Sequence, residues 1–395
     1  MRLKCRADMK ICNFRPLVCL ALIVIVTLGA AMLSVWLALM VALVLFLILW
    51  FAKLPYQFKV VAMAVCAAAL YSYILTTCFV SNPYRHAYDP HAGLRGIVLG
   101  YVRWYLSLFL SNTNANILYA MMFGDKSVLT WYTLSSFRVA GLAHMLAVSG
   151  FHVDLLYWVV SAILKLCHVP QRAHLWIVAP LLLFYGYLCG WQYAVMRAVI
   201  MCLVYAIAKR HLYVADPLSV LSLAAVIILI IYPYALASAS FILSFTCVLG
   251  IYLWYDTIYR KIQVKSVAMY LSIILGSFPF FVYFFGGEPL FGLVSEIVLV
   301  PLLVASFYLG LFAIVTFVGG AVLYLAEPLL NLVRWVATGI SQISWAIIPL
   351  HQSLPAVCVY LILTWLLSRF IFLKPKVKYS LAAVLFTCYL VLLVV

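Results

Sequence analysis

Charged residues are scarce in this chain, and acidic ones are the scarcest. Of 395 residues, 9% are charged, and 9 Asp and Glu stand against 25 Lys and Arg, which gives a net charge of +16. The chain also lacks a polar interval long enough for an independent soluble domain. With 69% hydrophobic residues and a mean hydropathy of +1.19, the composition excludes a soluble protein. It predicts an all-α polytopic integral membrane protein with about 10–12 transmembrane helices and amphipathic interfacial helices.

The signatures of several soluble enzymes are missing as well. There is no GxxxxGK[ST] phosphate loop, because Gly124-Asp125-Lys126-Ser127 lacks the earlier glycine. There is no HxHxDH cluster and no HExxH pair. The eleven cysteines form no CxxC pair and lie mostly in apolar runs, which is typical of small buried hydrophobic residues. We therefore predict no enzyme, no bound metal and no cofactor.

The positive charges that are present indicate an orientation. A basic segment, residues 1–15, precedes an apolar run over 17–51 that is too long for a signal peptide, so we expect a retained membrane hairpin. Farther along, basic loops alternate with turns rich in Gly, Pro and aromatic residues, as the positive-inside rule requires. The pattern predicts a multi-pass membrane protein with a cytoplasmic N-terminus. Attraction to a polyanion is an additional use for this charge.

The least expected polar groups lie between Gly141 and His152. This stretch places two imidazoles, a hydroxyl and a Ser-Gly pair between hydrophobic segments. On a continuous helix the two histidines, eight residues apart, would lie about 80° apart on one face. A Ser-Gly pair favours a kink, and broken backbone in a bilayer is tolerated only inside protein or beside a water-filled cavity. We therefore predict a polar path, with these candidate residues: His144, Ser149, Gly150, His152 and Asp154.

The same residues allow other interpretations. A lone His in an apolar segment can be a hydrogen-bonded core residue that fixes one helix against another. The three residue types of a catalytic triad are present in Ser149, His152 and Asp154. Residues this close on one segment, however, rarely converge as a triad does. His144, His152, Asp125 and Asp154 have the ligand types for a divalent ion.

Three further charged residues are candidates for contact with a polar substrate. Arg197 lies near the start of a predicted span, where it either snorkels to the outer interface or contacts phosphates along the path. Asp125 and Arg138 are outer-face candidates, and an ion pair between them is the simpler interpretation. Polar residues over 94–137 recur at helix-like intervals and predict amphipathic helices at the outer face. Over 290–320 the sequence leaves one long span or two short ones open.

Four separated motifs resemble the competence domain of the ComEC family. They are Gly124-Asp125, the stretch Gly141 to His152, Arg197-Ala198 and the stretch Phe241 to Ile251, and their order and spacing match across about residues 120–320. The resemblance implies an inner-membrane channel that takes up one strand of transforming DNA. It also implies a surface DNA receptor and a cytoplasmic helicase-like ATPase as partners, and it leaves a homo-oligomer open.

The chain departs from that family at several points. Ile242 stands where members commonly have Gln, and Ser295 or Glu296 where they have Asn. The loop at 81–93 is too short for the OB-like domain of full-length members, and a span occupies the end of the chain where a metallo-β-lactamase-like domain would follow. We therefore expect a short form, with any strand-degrading activity supplied by another protein.

The resemblance suggests a division into three segments. We expect an N-terminal hairpin, third span and outer loop over 1–93, a competence-type channel domain over 94–320, and an interfacial helix with C-terminal spans over 321–395. Two other functions fit the residues: a transporter or flippase for another polyanion or a lipid-linked precursor, and an intramembrane hydrolase built on Ser149.

Overall fold

A computed structural model describes most of the chain. The described residues are 16–33, 37, 40–42, 44–45, 56–79, 93–211, 213–316, 319–350, 352–367 and 375–394. The basic segment over 1–15 and the loop at 81–90, on which part of the predicted orientation rests, lie outside them.

Helices make up nearly all of the described chain. In chain order the α-helices are α1 (Pro16–Leu33), α2 (Tyr56–Phe79), α3 (Gly93–Phe109), α4 (Asn112–Phe123), α5 (Trp131–Val139), α6 (Gly150–Leu166), α7 (Gln171–Leu188), α8 (Tyr193–Arg210), α9 (Pro217–Ile231), α10 (Ala239–Ile262), α11 (Lys265–Phe285), α12 (Gly292–Thr316), α13 (Leu323–Ser341), α14 (Leu354–Leu367) and α15 (Pro375–Val394). Two three-residue strands, β1 (Gly287–Pro289) and β2 (Ile347–Pro349), pair antiparallel. The predicted all-α membrane class is confirmed.

Four helices of the described chain are long and apolar enough to cross a membrane: α1, α10, α11 and α12. The ambiguity over 290–320 is resolved, because α12 runs as one 25-residue helix through Glu296 and Pro301. A proline removes one backbone hydrogen bond, and neighbouring helices and side chains make this tolerable in membrane helices. The expected total of about 10–12 crossings stays a prediction.

The chain forms two compact units, each built from separated segments. The first is drawn from residues 1–88, 156–182 and 196–242, and the second from 89–155, 183–195 and 243–395. The helices α6, α7, α8 and α10 contribute residues to both. The predicted linear division at 93 and 320 stays a prediction.

In the first unit α1, α2 and α9 pack against one another. The hydroxyl of Tyr73 on α2 donates a hydrogen bond to the carbonyl of Ala31 on α1 over 3.0 Å. The same tyrosine ring lies 5.3 Å from the ring of Tyr234. A buried tyrosine whose hydroxyl is hydrogen-bonded adds apolar contact without leaving a polar group unsatisfied. Tyr73 therefore packs α2 against α1 without burying an unpaired hydroxyl.

The second unit holds the largest apolar core of the described chain, centred on α4, α12 and α13. Phe137 and Phe307 are each 1% exposed, and Leu118 is fully buried. At Gly310 a side chain would begin 2.9 Å from Leu118, so the glycine allows α12 to approach α4 closely. This core supports the candidate site, because α12 carries residues that contact the stretch between Gly141 and His152.

The amphipathic helices predicted over 94–137 differ in how far they are buried. In α3 buried and exposed positions are mixed, whereas nine of the 12 residues of α4 are buried. Their location on or in the outer face stays a prediction. Asn114, which looks like a surface residue in the sequence, is 0% exposed and donates to the side-chain oxygen of Asn331 over 2.9 Å. This hydrogen bond lowers the cost of burying the amide nitrogen, whereas the amide oxygen of Asn114 is buried with no hydrogen-bond partner among the described residues.

The amphipathic pattern predicted for the region after residue 320 is confirmed in α13. Its buried residues recur at intervals of three and four: Leu323, Ala326, Leu330, Val333 and Ala337. This spacing forms one helical stripe against the core. The opposite face exposes large apolar residues, with Trp335 75% and Leu325 62% exposed. Its location at a membrane interface stays a prediction.

Candidate functional site

The stretch between α5 and α6 contains no regular helix. Residues 141–149, called the central turn below, form consecutive turns, and α6 begins at Gly150. The backbone N–H of Leu142 donates to Phe137 over 2.7 Å, and that of Met145 donates to Leu142 over 3.0 Å. Broken backbone is therefore present, as predicted, but it extends over the whole turn and is not confined to a kink at Ser149-Gly150. The shared helical face considered for the two histidines is not formed.

The backbone conformation of Gly141 explains why α5 ends just before it. Its φ of 78° lies in the left-handed region that favours glycine. A side chain there would begin 2.8 Å from the Cα of Gly292, the first residue of α12. Two glycines thus allow the central turn to lie directly against the start of α12, and a helix continued past residue 140 could not make this approach.

His144 is the exposed imidazole of the central turn. Its Nδ1 lies 3.0 Å from the carbonyl oxygen of Gly141, and its Nε2 lies 3.4 Å from a carboxylate oxygen of Glu296 on α12. The side chain of His144 is 50% exposed and that of Glu296 32%. This pair is an accessible polar feature of an otherwise apolar protein.

His152 has a different role, because it is fully buried and caps α6. The backbone N–H of Ser149 donates to its Nδ1 over 3.2 Å, and the Ser149 hydroxyl lies 3.2 Å from the same atom. This resembles a capping box, in which a side chain in the first turn accepts from the residue before the helix. Since Nδ1 accepts, the proton of the neutral ring is on Nε2. That atom is buried and has no hydrogen-bond partner within the described residues.

The predicted alternatives of a triad and a metal site can be compared with this geometry. A triad needs an acid on the second nitrogen of the histidine, whereas Nε2 of His152 has no partner in the described part of the chain. Asp154 is exposed on α6. No three His, Cys, Asp or Glu side chains converge as a metal site among the residues described. The ligand set considered from the sequence, which includes Asp125, is therefore not assembled here.

Asp125 and Arg138 do not pair with each other. Asp125 accepts hydrogen bonds from the backbone and hydroxyl of Ser127 over 3.0 and 2.6 Å, and so caps a short 3₁₀ helix. Arg138 donates to the carbonyl of Phe285, and its guanidinium lies 5.4 Å from the centre of that ring. The ion pair considered from the sequence is not formed in this structure, and Arg138 ties α5 to the end of α11.

Arg197 belongs to the first compact unit, in the second turn of α8. Its side chain is 7% exposed, and Nη1 lies 4.0 Å from the sulfur of Met201. The guanidinium is therefore enclosed by protein. Its role as a phosphate contact stays a prediction.

Two residues near the central turn, Tyr270 and Glu288, were not among the predicted site residues. The hydroxyl of Tyr270 on α11 lies against Gly292 and near the carboxyl groups of Glu288 and Glu296. Glu288 lies on β1 opposite Ile348, and one of its oxygens is buried with no hydrogen-bond partner in the described chain. Burial raises the pKa of Glu288 to about 7. The sequence offered one signal for this site: acidic residues are rare in the chain, and Glu288 and Glu296 are two of only nine.

The position at which the chain departs from the family pattern lies at this same site. Ser295 is 1% exposed and its hydroxyl has no hydrogen-bond partner among the described residues. Glu296, the next residue, faces His144. Of these two residues, Glu296 is the one whose side chain contacts the central turn.

The fold and site together define an all-α polytopic membrane protein with an irregular polar turn packed against one of its span-length helices. The family model described as "Competence protein" matches residues 121–393, and the chain belongs to this family. "Competence protein ComA" of Neisseria gonorrhoeae is 30% identical over 280 residues, covering 65% of this chain and 38% of that protein. "ComE operon protein 3" of Bacillus subtilis is 26% identical over 193 residues, covering 48% and 24%. The matched region thus spans less than two fifths of either relative. No solved structure matches the chain significantly.

Proposed function

We propose that the chain lines a channel through which one strand of transforming DNA crosses the cytoplasmic membrane during natural competence. Membership of the competence family and the names of its relatives support a role in competence. The observation that carries the channel proposal is the non-helical central turn, which places a partly exposed His144–Glu296 pair within a very apolar protein.

Passage of DNA needs a wet path for a simple electrostatic reason. With one phosphate every roughly 3.4 Å, an extended strand would place about nine charges in a hydrocarbon core about 30 Å thick. Each unsolvated charge would cost several kcal/mol. Lipid and dry apolar protein are therefore excluded as surroundings, and irregular backbone beside a water-filled cavity is the form of polypeptide that meets this need.

The charges of the chain suit an anionic substrate. Lys and Arg exceed Asp and Glu by 25 to 9, and Glu296 at the central turn has a histidine beside it. A carboxylate paired with an imidazolium repels passing phosphates less than a free carboxylate does. Under this proposal, an imidazolium at His144 offsets the negative charge of Glu296 on α12, while Arg197 contacts phosphates.

The proposal extends to orientation and partners. The N-terminus lies in the cytoplasm, a surface receptor delivers DNA from outside, and a helicase-like ATPase pulls the strand from inside. The chain itself conducts the strand and performs no hydrolysis. The distribution of Lys and Arg supports the orientation, and the family resemblance supports the partners.

A clean deletion, scored separately for binding and entry, tests the proposal. Cells without the chain should hold labelled DNA at the surface at the normal level but lose the fraction that survives external nuclease. Expression of the intact chain from a plasmid should restore it. Normal nuclease-protected DNA in the deletion strain would reject the DNA channel and favour transport of another polyanion or a lipid-linked precursor.

A further inference from the structure

A pocket in the first compact unit carries cationic groups that the proposed DNA path does not use. It lies between α6, α7 and α8, and about 30 Å³ is open to water-sized groups, enough for about two of them. Its lining residues are Tyr157, Ser161, His174, Leu175, Val178, Ala206, Lys209 and Arg210. Two hydroxyls, an imidazole, an ammonium and a guanidinium thus converge, and no acidic residue is among them.

Two of the polar side chains that line the pocket are held by their neighbours. The guanidinium of Arg210 lies 5.5 Å from the centre of the Trp176 ring, a cation–π contact that limits its freedom. A ring nitrogen of His174 lies 3.0 Å from the carbonyl of Val169, so the ring is fixed. Lys209 and Arg210 form the last turn of α8, where the helix dipole favours cations. The pocket is thus lined by two basic side chains and an imidazole from two helices.

The surroundings of the pocket favour a lipid as the source of the anion. Trp176 is 70% exposed and Ile177 44% on α7, Ile207 is 47% exposed on α8, and Ile163 is 50% exposed on α6. All four lie within about a turn of a pocket residue along their helices. An exposed Trp beside basic groups is typical of the membrane–water interface. A polar, cationic pocket bordered by exposed apolar side chains matches a phosphate headgroup joined to acyl chains.

We propose that this pocket binds the phosphate headgroup of an anionic phospholipid. Lys209 and Arg210 contact the phosphate oxygens, the hydroxyls of Tyr157 and Ser161 complete the site, and the acyl chains lie along the exposed apolar residues beside it. Basic pockets between membrane helices are known to hold anionic headgroups in this manner. The site includes no residue of the central turn, so lipid binding can be tested separately from the proposed DNA channel.

Native mass spectrometry of the purified full chain in mild detergent tests the site. The probe is dioleoyl phosphatidylglycerol, and dioleoyl phosphatidylcholine is the uncharged comparison. We expect phosphatidylglycerol to bind preferentially, and Lys209→Gln with Arg210→Gln to weaken it by about tenfold or more, since each basic group near a phosphate is worth about 1 kcal/mol. The matched control is Arg260→Gln with Lys261→Gln, which removes the same charge from the exposed last turn of α10.

A second variant protects the test against loss of folding. Ser161→Leu fills the pocket without changing any charge, and it should also weaken binding of phosphatidylglycerol, while the elution profile reports the fold. Undiminished binding in both pocket variants would overturn the proposal. Equal loss in the control pair would do so too, because it would show attraction to net charge alone.

Competition separates the sources of phosphate. Inorganic phosphate and glycerol phosphate should displace the lipid only at far higher concentrations, because they lack acyl chains. Displacement at concentrations equal to that of the lipid would overturn the lipid assignment and leave a free-anion site. A single-stranded oligonucleotide that displaces the lipid, and whose own binding depends on Lys209 and Arg210, would overturn it in favour of the DNA strand.

Discussion

His144 and His152 are eight residues apart, yet the structure gives them different tasks. His152 is buried and completes the cap of α6, as the simpler interpretation of a hydrogen-bonded core histidine proposes. His144 is exposed and faces a carboxylate. Because the sequence shows neither burial nor partners, it could identify both residues as polar exceptions but could not distinguish them.

The His144–Glu296 pair leads to a prediction with a definite sign. His144→Ala leaves the Glu296 carboxylate uncompensated, and we expect nuclease-protected DNA to fall on the order of fivefold through repulsion of phosphates. Glu296→Gln added to His144→Ala should restore much of the loss. Uptake is measured as labelled DNA that survives external nuclease, normalised to the amount of protein in the membrane. A double variant as impaired as the single one would refute the charge argument.

Arg197 is predicted to contact phosphates. Arg197→Ala should leave surface-bound DNA unchanged and lower nuclease-protected DNA by at least about tenfold, the scale of a lost charge-assisted hydrogen bond. Arg197→Lys should be intermediate, because it keeps the charge but loses the planar fork. Arg103, exposed on α3, is the control, and Arg103→Ala should have little effect. Normal uptake in Arg197→Ala would make this arginine a packing residue.

The raised pKa of Glu288 predicts that the stability of the fold depends on pH. Burial raises its pKa from an ordinary 4.5 to about 7, so the folded chain keeps a proton that the unfolded chain has lost. This contribution to stability is complete below the ordinary pKa and disappears as the pH rises through about 7. The melting temperature should therefore fall by a few degrees more between about pH 5 and about pH 8 in the wild type than in Glu288→Gln. Parallel curves for the two proteins would contradict the raised pKa.

Glycine determines two features of the elements around the central turn, for different reasons. Gly141 and Gly286 both have a positive φ, but a side chain at Gly286 would meet nothing within 4 Å, whereas one at Gly141 would meet Gly292. Alanine at either position carries a conformational cost of about 1–2 kcal/mol. Only at Gly141 does backbone overlap add to it.

Substitution of these two glycines tests whether the central turn depends on its close approach to α12. Gly141→Ala should lower the melting temperature in detergent substantially and reduce the amount of protein in the membrane. Gly286→Ala should cost roughly 1–2 kcal/mol, the conformational cost alone. Thermal unfolding of both variants measures the difference. Equal losses would show that the close approach of the central turn to α12 contributes nothing.

Secondary structure was predictable where the signal is local. Long apolar runs predicted most of the helices, and polar residues interspersed among apolar ones predicted the amphipathic α13. The pairing of β1 with β2 was not predicted, because these three-residue strands join positions about 60 residues apart and carry no pattern of their own. The break before α6 was predicted, but its length was not, because it depends on contact with Gly292.

At the scale of the whole molecule, composition determined the class and tertiary contacts determined the site. The scarcity of charge predicted a membrane protein, which the structure confirms. The burial of α4 and the pairing of His144 with Glu296 join residues separated by about 150 to 220 positions, and no periodicity in a single sequence reports such contacts. The family motifs located the central turn, but only the structure brought Tyr270, Glu288 and Glu296 to it.

Photo-cross-linking of DNA in transit tests most directly whether the central turn lines the path. A photoreactive amino acid replaces Ala143 in the central turn or, as a control, Leu325 on the exposed face of α13, and competent cells are irradiated during uptake of labelled DNA. We predict a DNA adduct at position 143 and none at 325, with the adduct lost when uptake is blocked. Adducts at neither position, or equally at both, from variants that still take up DNA would contradict a strand path along the central turn.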